Sequence, residues 1–242
     1  SLKKVLREIP ASAHPMADMA TGCSMLGNLE PEESMDSQMD SINRMVATMP
    51  SIVTYWYKFS HDGEDISLVN DEDTMAGHFL HILHGKAPSD LHRRVMDASL
   101  VLYAEHEFNA STFTARVCAS TMSDIYSCVV AAIGSLKGPL HGGANEEVMH
   151  MMNKIKKPEN ALKWINNALK NKEVVMGFGH RVYKSGDSRV PTMRKYFGKV
   201  AKLKKDKKFE KIYDIVEKVM INKKNIHPNV DYPTGPTYHL MG

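Results

Sequence analysis

The sequence predicts an all-α protein, and three features carry that expectation. Apolar residues recur at three- and four-residue spacing through most of the 242 residues, as helices with one buried face require. Alternating apolar and polar runs, the mark of a half-buried strand, are hard to find. Capping residues, prolines and glycines punctuate the ends of the periodic stretches.

In chain order, helical spacing covers 41–57, 77–83, 95–103, 123–136 and 209–220. The stretch 60–74 (SHDGEDISLVNDEDT) reads as a polar loop between helices. Ser123 is placed to cap a helix that Gly138 and Pro139 end, and Asn145 to cap the next. Glu146 and Glu147 then fall in a first turn, where negative charge meets the positive end of the helix dipole. Pro158 suits the start of another helix running through Trp164 and Leu169, because a missing N–H costs nothing there. A short helical pattern covers 238–241. The stretch 111–138 is rich in small residues that permit close backbone approach, and reads either as central core or as a helix–helix subunit interface.

Apolar residues make up 43% of the chain and charged residues 24%, ordinary for a soluble globular protein. A net charge of +3 with no basic stripe interleaved with aromatics argues against a nucleic-acid partner. The densest basic stretch, 199–208, reads as a solvated helix end or loop, with a minor role in attracting phosphates left open. Three cysteines without CxxC spacing argue against a disulfide framework and for a reducing compartment. No apolar run approaches the ~20 residues of a membrane helix, and nothing reads as a secretory leader. The chain opens at Ser1 and stops at Gly242 without a polar tail, and both ends are expected to be cut.

Three histidine-bearing segments offer chemistry. In Gly138-Pro-Leu-His141-Gly-Gly-Ala-Asn145, the imidazole stands beside open backbone N–H groups and a helix start. Such a setting pushes a histidine toward neutrality and suits it to donate to a developing oxyanion. A turn histidine satisfied by local backbone is the alternative reading. In Val175-Met-Gly177-Phe-Gly179-His180-Arg181-Val-Tyr183-Lys184, followed by Asp187-Ser188-Arg189, the two glycines mimic a dinucleotide fingerprint. The third glycine position is Val182 and no strand–helix pair flanks it, so a glycine turn presenting a histidine among cations remains. That suits an anionic small molecule, since arginine clamps carboxylates in bidentate fashion. In His227-Pro-Asn-Val-Asp231-Tyr-Pro233, a carboxylate between two prolines reads as rigid, non-helical chain, fit for a general base or for simple turn chemistry.

His78, His81 and His84 follow helical spacing but lack the i, i+4 pair with an intervening Glu of a zinc helix, so structural histidines are expected and a metal is not. His106 lies in a polar knot ahead of the small-residue helix and is within reach of a site formed by the other segments. Methionines such as Met149, Met151 and Met152 read as core filler.

Together these segments resemble the citrate synthase family. EHEFNASTFTARV (105–117), GPLHGGANE (138–146), GFGHRVYKSGDSR (177–189) and HPNVDYPTG (227–235) occur in the family's order and at about its spacing. The opening, with Ala13-His-Pro-Met-Ala-Asp18, and TYWYKFSHDG are similar too, so the resemblance spans essentially the whole chain.

The resemblance implies an all-helical, two-domain homodimer whose small domain closes over substrate. It implies mostly large-domain helices over 1–140, mostly small domain over 141–225, and a return to the large domain over 226–242. By position, His141 matches the histidine that hydrogen-bonds the thioester oxygen, Asp231 the aspartate that takes the α-proton, and His180 the histidine that polarises the oxaloacetate carbonyl. His106, Asn109 and Arg189 match oxaloacetate-binding positions. The loop Val174, Val175, Met176, Gly177, Phe178 and Gly179 lies where the family contacts CoA. The implied reaction condenses acetyl-CoA or propionyl-CoA with oxaloacetate and needs no metal or organic cofactor. Asp187-Ser188-Arg189 departs from the family's common Asp-Pro-Arg. With Val190-Pro-Thr-Met193 and Tyr232-Pro-Thr-Gly-Pro236, it resembles the bacterial branch that includes 2-methylcitrate synthases. The chain is expected to lack an N-terminal segment and C-terminal helices carrying two more carboxylate-binding arginines. Bacterial members are cytoplasmic and eukaryotic ones often mitochondrial. A non-catalytic ligand-binding relative and a metalloenzyme built on His78, His81 and His84 are the alternatives from other classes.

Overall fold

The computed structural model describes residues 1–104, 109–180, 182–183 and 185–242. Among the described residues there are twelve α-helices, short 3₁₀ and π turns, and one isolated β-bridge, so the helical expectation holds. The chain divides into two compact units, Ser1–His141 and Gly142–Gly242.

The first unit contains α1 (Leu2–Glu8), α2 (Pro15–Leu29), α3 (Gln38–Tyr57), α4 (Met75–His84), α5 (Asp90–Tyr103), α6 (Ala110–Ala119) and α7 (Ile125–Leu136). Leu6, Cys23, Leu26, Met45, Ile52, Tyr55, Trp56, Tyr126 and Ile133 form its core, where α1, α2, α3 and α7 converge. The helices approach closely: a Cβ on Gly27 of α2 would stand 2.8 Å from Cγ of Tyr126 on α7. The small-residue stretch splits in role. Helix α7 sends Tyr126, Cys128 and Ile133 inward, whereas α6 packs along α7 without a buried residue of its own. Asp124, not Ser123, caps α7, because its carboxylate accepts both the amide (2.9 Å) and the hydroxyl (2.7 Å) of Ser127. The polar loop begins later than expected, since α3 continues into a π turn over Lys58–Asp62 that Gly63 ends.

The second unit contains α8 (Ala144–Ile155), α9 (Pro158–Lys170), α10 (Val190–Lys204), α11 (Lys208–Lys224) and α12 (Asp231–Met241). Gly143 rather than Asn145 precedes α8, so Asn145 is a first-turn residue; Glu146 and Glu147 sit at the dipole end as expected. Pro158 opens α9. The basic stretch spans the end of α10, a turn and the start of α11, with its lysines exposed.

Helix α12 packs on α8 and α10, so residues 226–242 of this chain lie within the second unit. The helix is seven residues longer than the 238–241 pattern suggests, and Asp231 is its first residue rather than part of a non-helical segment. Pro233 lies in the first turn, where no N–H partner exists to lose, and Pro236 costs only one bond. Tyr232 to Thr237, Leu240 and Met241 are all buried, so α12 has no polar stripe to reveal its period. No helix among the described residues is long and apolar enough to cross a membrane.

Candidate active site

In the second unit the glycine turn and the Pro-Asn-Val-Asp segment form one body. Gly179 N donates to His227 O and Asn229 N to Gly177 O, each at 2.9 Å, around an antiparallel bridge between Phe178 and Pro228. Asn229 completes the joint: its side-chain NH₂ donates to Gly179 O (3.0 Å), and its Oδ1 accepts from Asp231 N (3.1 Å). Gly177 is required twice over. Its φ is +81°, and a Cβ there would meet Tyr232 Cβ and Val148 Cγ2 at 2.8 Å. The Phe178 ring lies 4.4 Å from Tyr232, which packs tilted against Tyr213 at 4.3 Å, so a run of rings anchors the turn to the core. Of the other loop residues Val175 is buried, while Val174 is exposed.

His180 emerges half-buried from this joint. Its Nδ1 accepts from the amides of Val182 (3.0 Å) and Tyr183 (3.3 Å). Amide hydrogens cannot rotate away, so the ring proton belongs on Nε2. Asp231, two residues past Asn229, is half-buried at the positive end of α12.

Arg189 is held by Asp187, whose Oδ1 accepts from Arg189 N (3.0 Å) and Nε (2.9 Å) and whose Oδ2 accepts from Nη2 (2.8 Å). The same Oδ2 accepts from Val230 N at 2.9 Å, which ties the arginine to the residue before Asp231. Burial alone would raise the Asp187 pKa; the Arg189 bonds and the backbone amides outweigh it and hold the carboxyl below its ordinary value. His180, Tyr183, Asp187 and His227 line a cavity of about 160 Å³.

His141 closes the first unit. Its Nε2 accepts from the Ser111 amide (3.3 Å), and the Ser111 hydroxyl lies 2.9 Å from the same atom. The proton therefore belongs on Nδ1. Burial lowers the His141 pKa and favours the neutral ring. Asn109 caps α6, its Oδ1 accepting from Thr112 N and from the Ser111 hydroxyl, each at 2.8 Å. His106 lies outside the described residues, as do Arg181 and Lys184. His78 and His81 have structural partners: Ser51 and Asn70 for the first, Glu72 for the second. Among the described residues no group of three His, Cys, Asp or Glu side chains could hold a metal ion.

Residues 1–242 match the family described as citrate synthase, C-terminal domain. The chain belongs to the citrate synthase family. It is 51% identical to a 2-methylcitrate synthase of Shewanella oneidensis over 242 residues, covering all of this chain and 64% of that protein. It is 45% identical to a citrate synthase of Mycolicibacterium smegmatis, covering all of this chain and 65% of that one. The fold matches a citrate synthase from Thermoplasma acidophilum, solved with carboxymethyl coenzyme A and oxaloacetate, at a TM-score of 0.88 and 30% identity. That match covers all of this chain and 65% of the other. The chain thus spans slightly less than two thirds of the length of these relatives, and the two compared by sequence are bacterial 2-methylcitrate and citrate synthases.

Two residues that hold the candidate side chains, one in each unit, escaped sequence reasoning. Asp187 had one visible signal, an acid two residues before an arginine. Ser111 had none, because it meets His141 across 30 residues of chain.

Proposed function

We propose that the full-length protein condenses a short acyl-CoA with oxaloacetate and water, giving 2-methylcitrate from propionyl-CoA or citrate from acetyl-CoA, and releasing CoA. The observation that carries this reading is the antiparallel joint that presents His180 and Asp231 from one rigid body. A thioester α-carbon is a weak acid, so a carboxylate base must act with an oxyanion donor. Asp231 takes the α-proton while Nδ1–H of His141 donates to the thioester oxygen. The enol attacks the oxaloacetate ketone, polarised by Nε2–H of His180, and hydrolysis of the CoA thioester follows. Arg189, His106 and Asn109 hold oxaloacetate, Asn109 through its NH₂ since its oxygen caps α6. Residues 174–179 contact CoA. The reaction calls for no metal or organic cofactor, and the reading includes a cytoplasmic homodimer.

Charge supports anionic substrates: residues 142–242 hold 21 lysines and arginines against 10 aspartates and glutamates, a formal +11, whereas residues 1–141 hold 10 against 18. Plain citrate synthase is the second reading, favoured by the 45% identity to the Mycolicibacterium smegmatis enzyme.

Thiol release by the full-length protein, with oxaloacetate and either acyl-CoA, tests both. One extra methylene in an apolar pocket is worth about 1–3 kcal/mol, so both donors should react, propionyl-CoA at least as well. A kcat/KM favouring acetyl-CoA by more than about a hundredfold selects the second reading. No release with either donor leaves a non-catalytic relative.

A further inference from the structure

Resting on that reading, we propose that Asn229 is a positioning residue for the condensation, its side-chain amide setting the aim of His180 and Asp231 relative to each other. The two groups act on different substrates, His180 on the ketone and Asp231 on the acyl α-carbon. Carbon–carbon bond formation therefore depends on how they are placed together, and an error of about 1 Å in such a placement can cost about 10²-fold in rate.

Asn229 is half-buried and touches the backbone beside both groups. Its NH₂ donates to Gly179 O at 3.0 Å, 50 residues away in the chain, and its Oδ1 accepts from Asp231 N at 3.1 Å. The partners fix which end is which, since a carbonyl only accepts and an amide N–H only donates. Gly179 O belongs to the peptide unit that leads into His180. Gly179 itself, at φ +80°, has no side chain to restrict rotation, so the peptide planes on its two sides are set by their hydrogen bonds. Gly179 N, bound to His227 O, holds the plane before it. The Asn229 bond holds the plane after it, and with it the direction in which the His180 side chain leaves the backbone. At its other end Asn229 holds the amide of Asp231 as α12 begins.

Local turn chemistry accounts for only half of this. An acceptor bonded to the amide two residues on is ordinary in turns, and Asp or Ser would supply it as well. The bond to Gly179 O needs a donor on the same side chain, and among side chains of this length only asparagine carries both. The backbone bond from Asn229 N to Gly177 O and the Phe178–Pro228 bridge join the two segments without that side chain. Its two bonds therefore set the aim rather than hold the fold.

The test compares wild-type full-length protein with Asn229→Ala and Asn229→Ser, with folding checked by circular dichroism. Two rates are followed in each: thiol release with oxaloacetate and propionyl-CoA, and α-proton exchange of the acyl-CoA in deuterated water with a non-reactive oxaloacetate mimic saturating. Ala releases both ends, and both rates should fall about 10- to 100-fold. Ser keeps an acceptor for Asp231 N but falls short of Gly179 O, so only the His180 end is freed. Its condensation kcat should fall about tenfold or more while exchange stays within about threefold of wild type. A merely structural residue would lower the two rates together in both variants, and that result overturns the inference. So does wild-type condensation in Asn229→Ala, or in Asn229→Ser should the Ala variant not fold. Wild type that neither releases thiol nor exchanges the proton overturns the substrate reading and this inference with it.

Discussion

Ser111 fixes His141 from two directions, its amide 3.3 Å and its hydroxyl 2.9 Å from Nε2. The amide hydrogen is immovable and makes Nε2 an acceptor. The hydroxyl hydrogen has two acceptors in reach, Nε2 and Asn109 Oδ1. His180 is fixed in the opposite sense, with Nδ1 as acceptor. The two histidines therefore present different ring nitrogens as donors, and backbone amides decide which.

One prediction follows for Ser111→Ala in the full-length protein. The amide stays, so the tautomer should persist, and only the hydroxyl's hold on the ring is lost. Turnover should fall about two- to tenfold with oxaloacetate affinity unchanged. A variant that loses oxaloacetate binding instead would show that Ser111 serves the other substrate.

Asp187 should matter for both binding and stability. Asp187→Asn leaves a half-buried guanidinium and the Val230 amide short of an acceptor, at about 3–5 kcal/mol for one partner of a buried pair. Melting temperature and oxaloacetate affinity should drop together. The native carboxyl titrates below its unfolded value, so its contribution is complete above the ordinary carboxylate range and is lost as the solution becomes more acidic. Thermal melts from pH 3 to pH 7 should converge for wild type and variant at the acid end. Parallel curves would mean the carboxylate is not the stabilising species.

Asp18 should behave oppositely. It is fully buried in α2 with both oxygens unpartnered, and burial pushes its pKa to about 7. The unfolded carboxyl loses its proton near pH 4, so the folded state is stabilised below that and loses this advantage as pH rises to about 7. The shift corresponds to at most about 4 kcal/mol. Asp18→Val, close in shape and apolar, should raise the melting temperature by several degrees at pH 8 and little at pH 4. An equal gain at both pH values would trace the effect to packing rather than to the charge.

The amphipathic helices were legible because burial on one face writes a period into the sequence, as in α3 and α5. Helix α12 was not, since a helix buried over most of its surface has no stripe and its prolines read as breakers. The glycine turn and the Pro-Asn-Val-Asp segment were each visible as motifs, but not their pairing, which joins residues about 50 positions apart. The Asp187–Val230 bond spans 43 residues and is equally silent in the sequence. Local chemistry can be read from neighbours in the chain; the geometry that aims it comes from long-range packing.

Asp231 carries the acid–base assignment, and its setting makes a discriminating test possible. The residue is the first of α12, its amide is bound by Asn229, and the preceding amide by Asp187, so the backbone at this point is held independently of the side chain's charge. Asp231→Asn should therefore fold and bind oxaloacetate nearly as wild type does. The loss should appear in kcat, at about 10²–10⁴-fold for a general base. His180→Ala should weaken both oxaloacetate binding and turnover, because in the proposed mechanism that side chain meets the ketone in the ground state. The deciding measurement follows α-proton exchange of the acyl-CoA in deuterated water, using full-length protein with a non-reactive oxaloacetate mimic bound. Exchange should collapse in Asp231→Asn, and in His180→Ala should persist once the mimic is saturating. Wild-type exchange in Asp231→Asn would mean that another residue removes the proton.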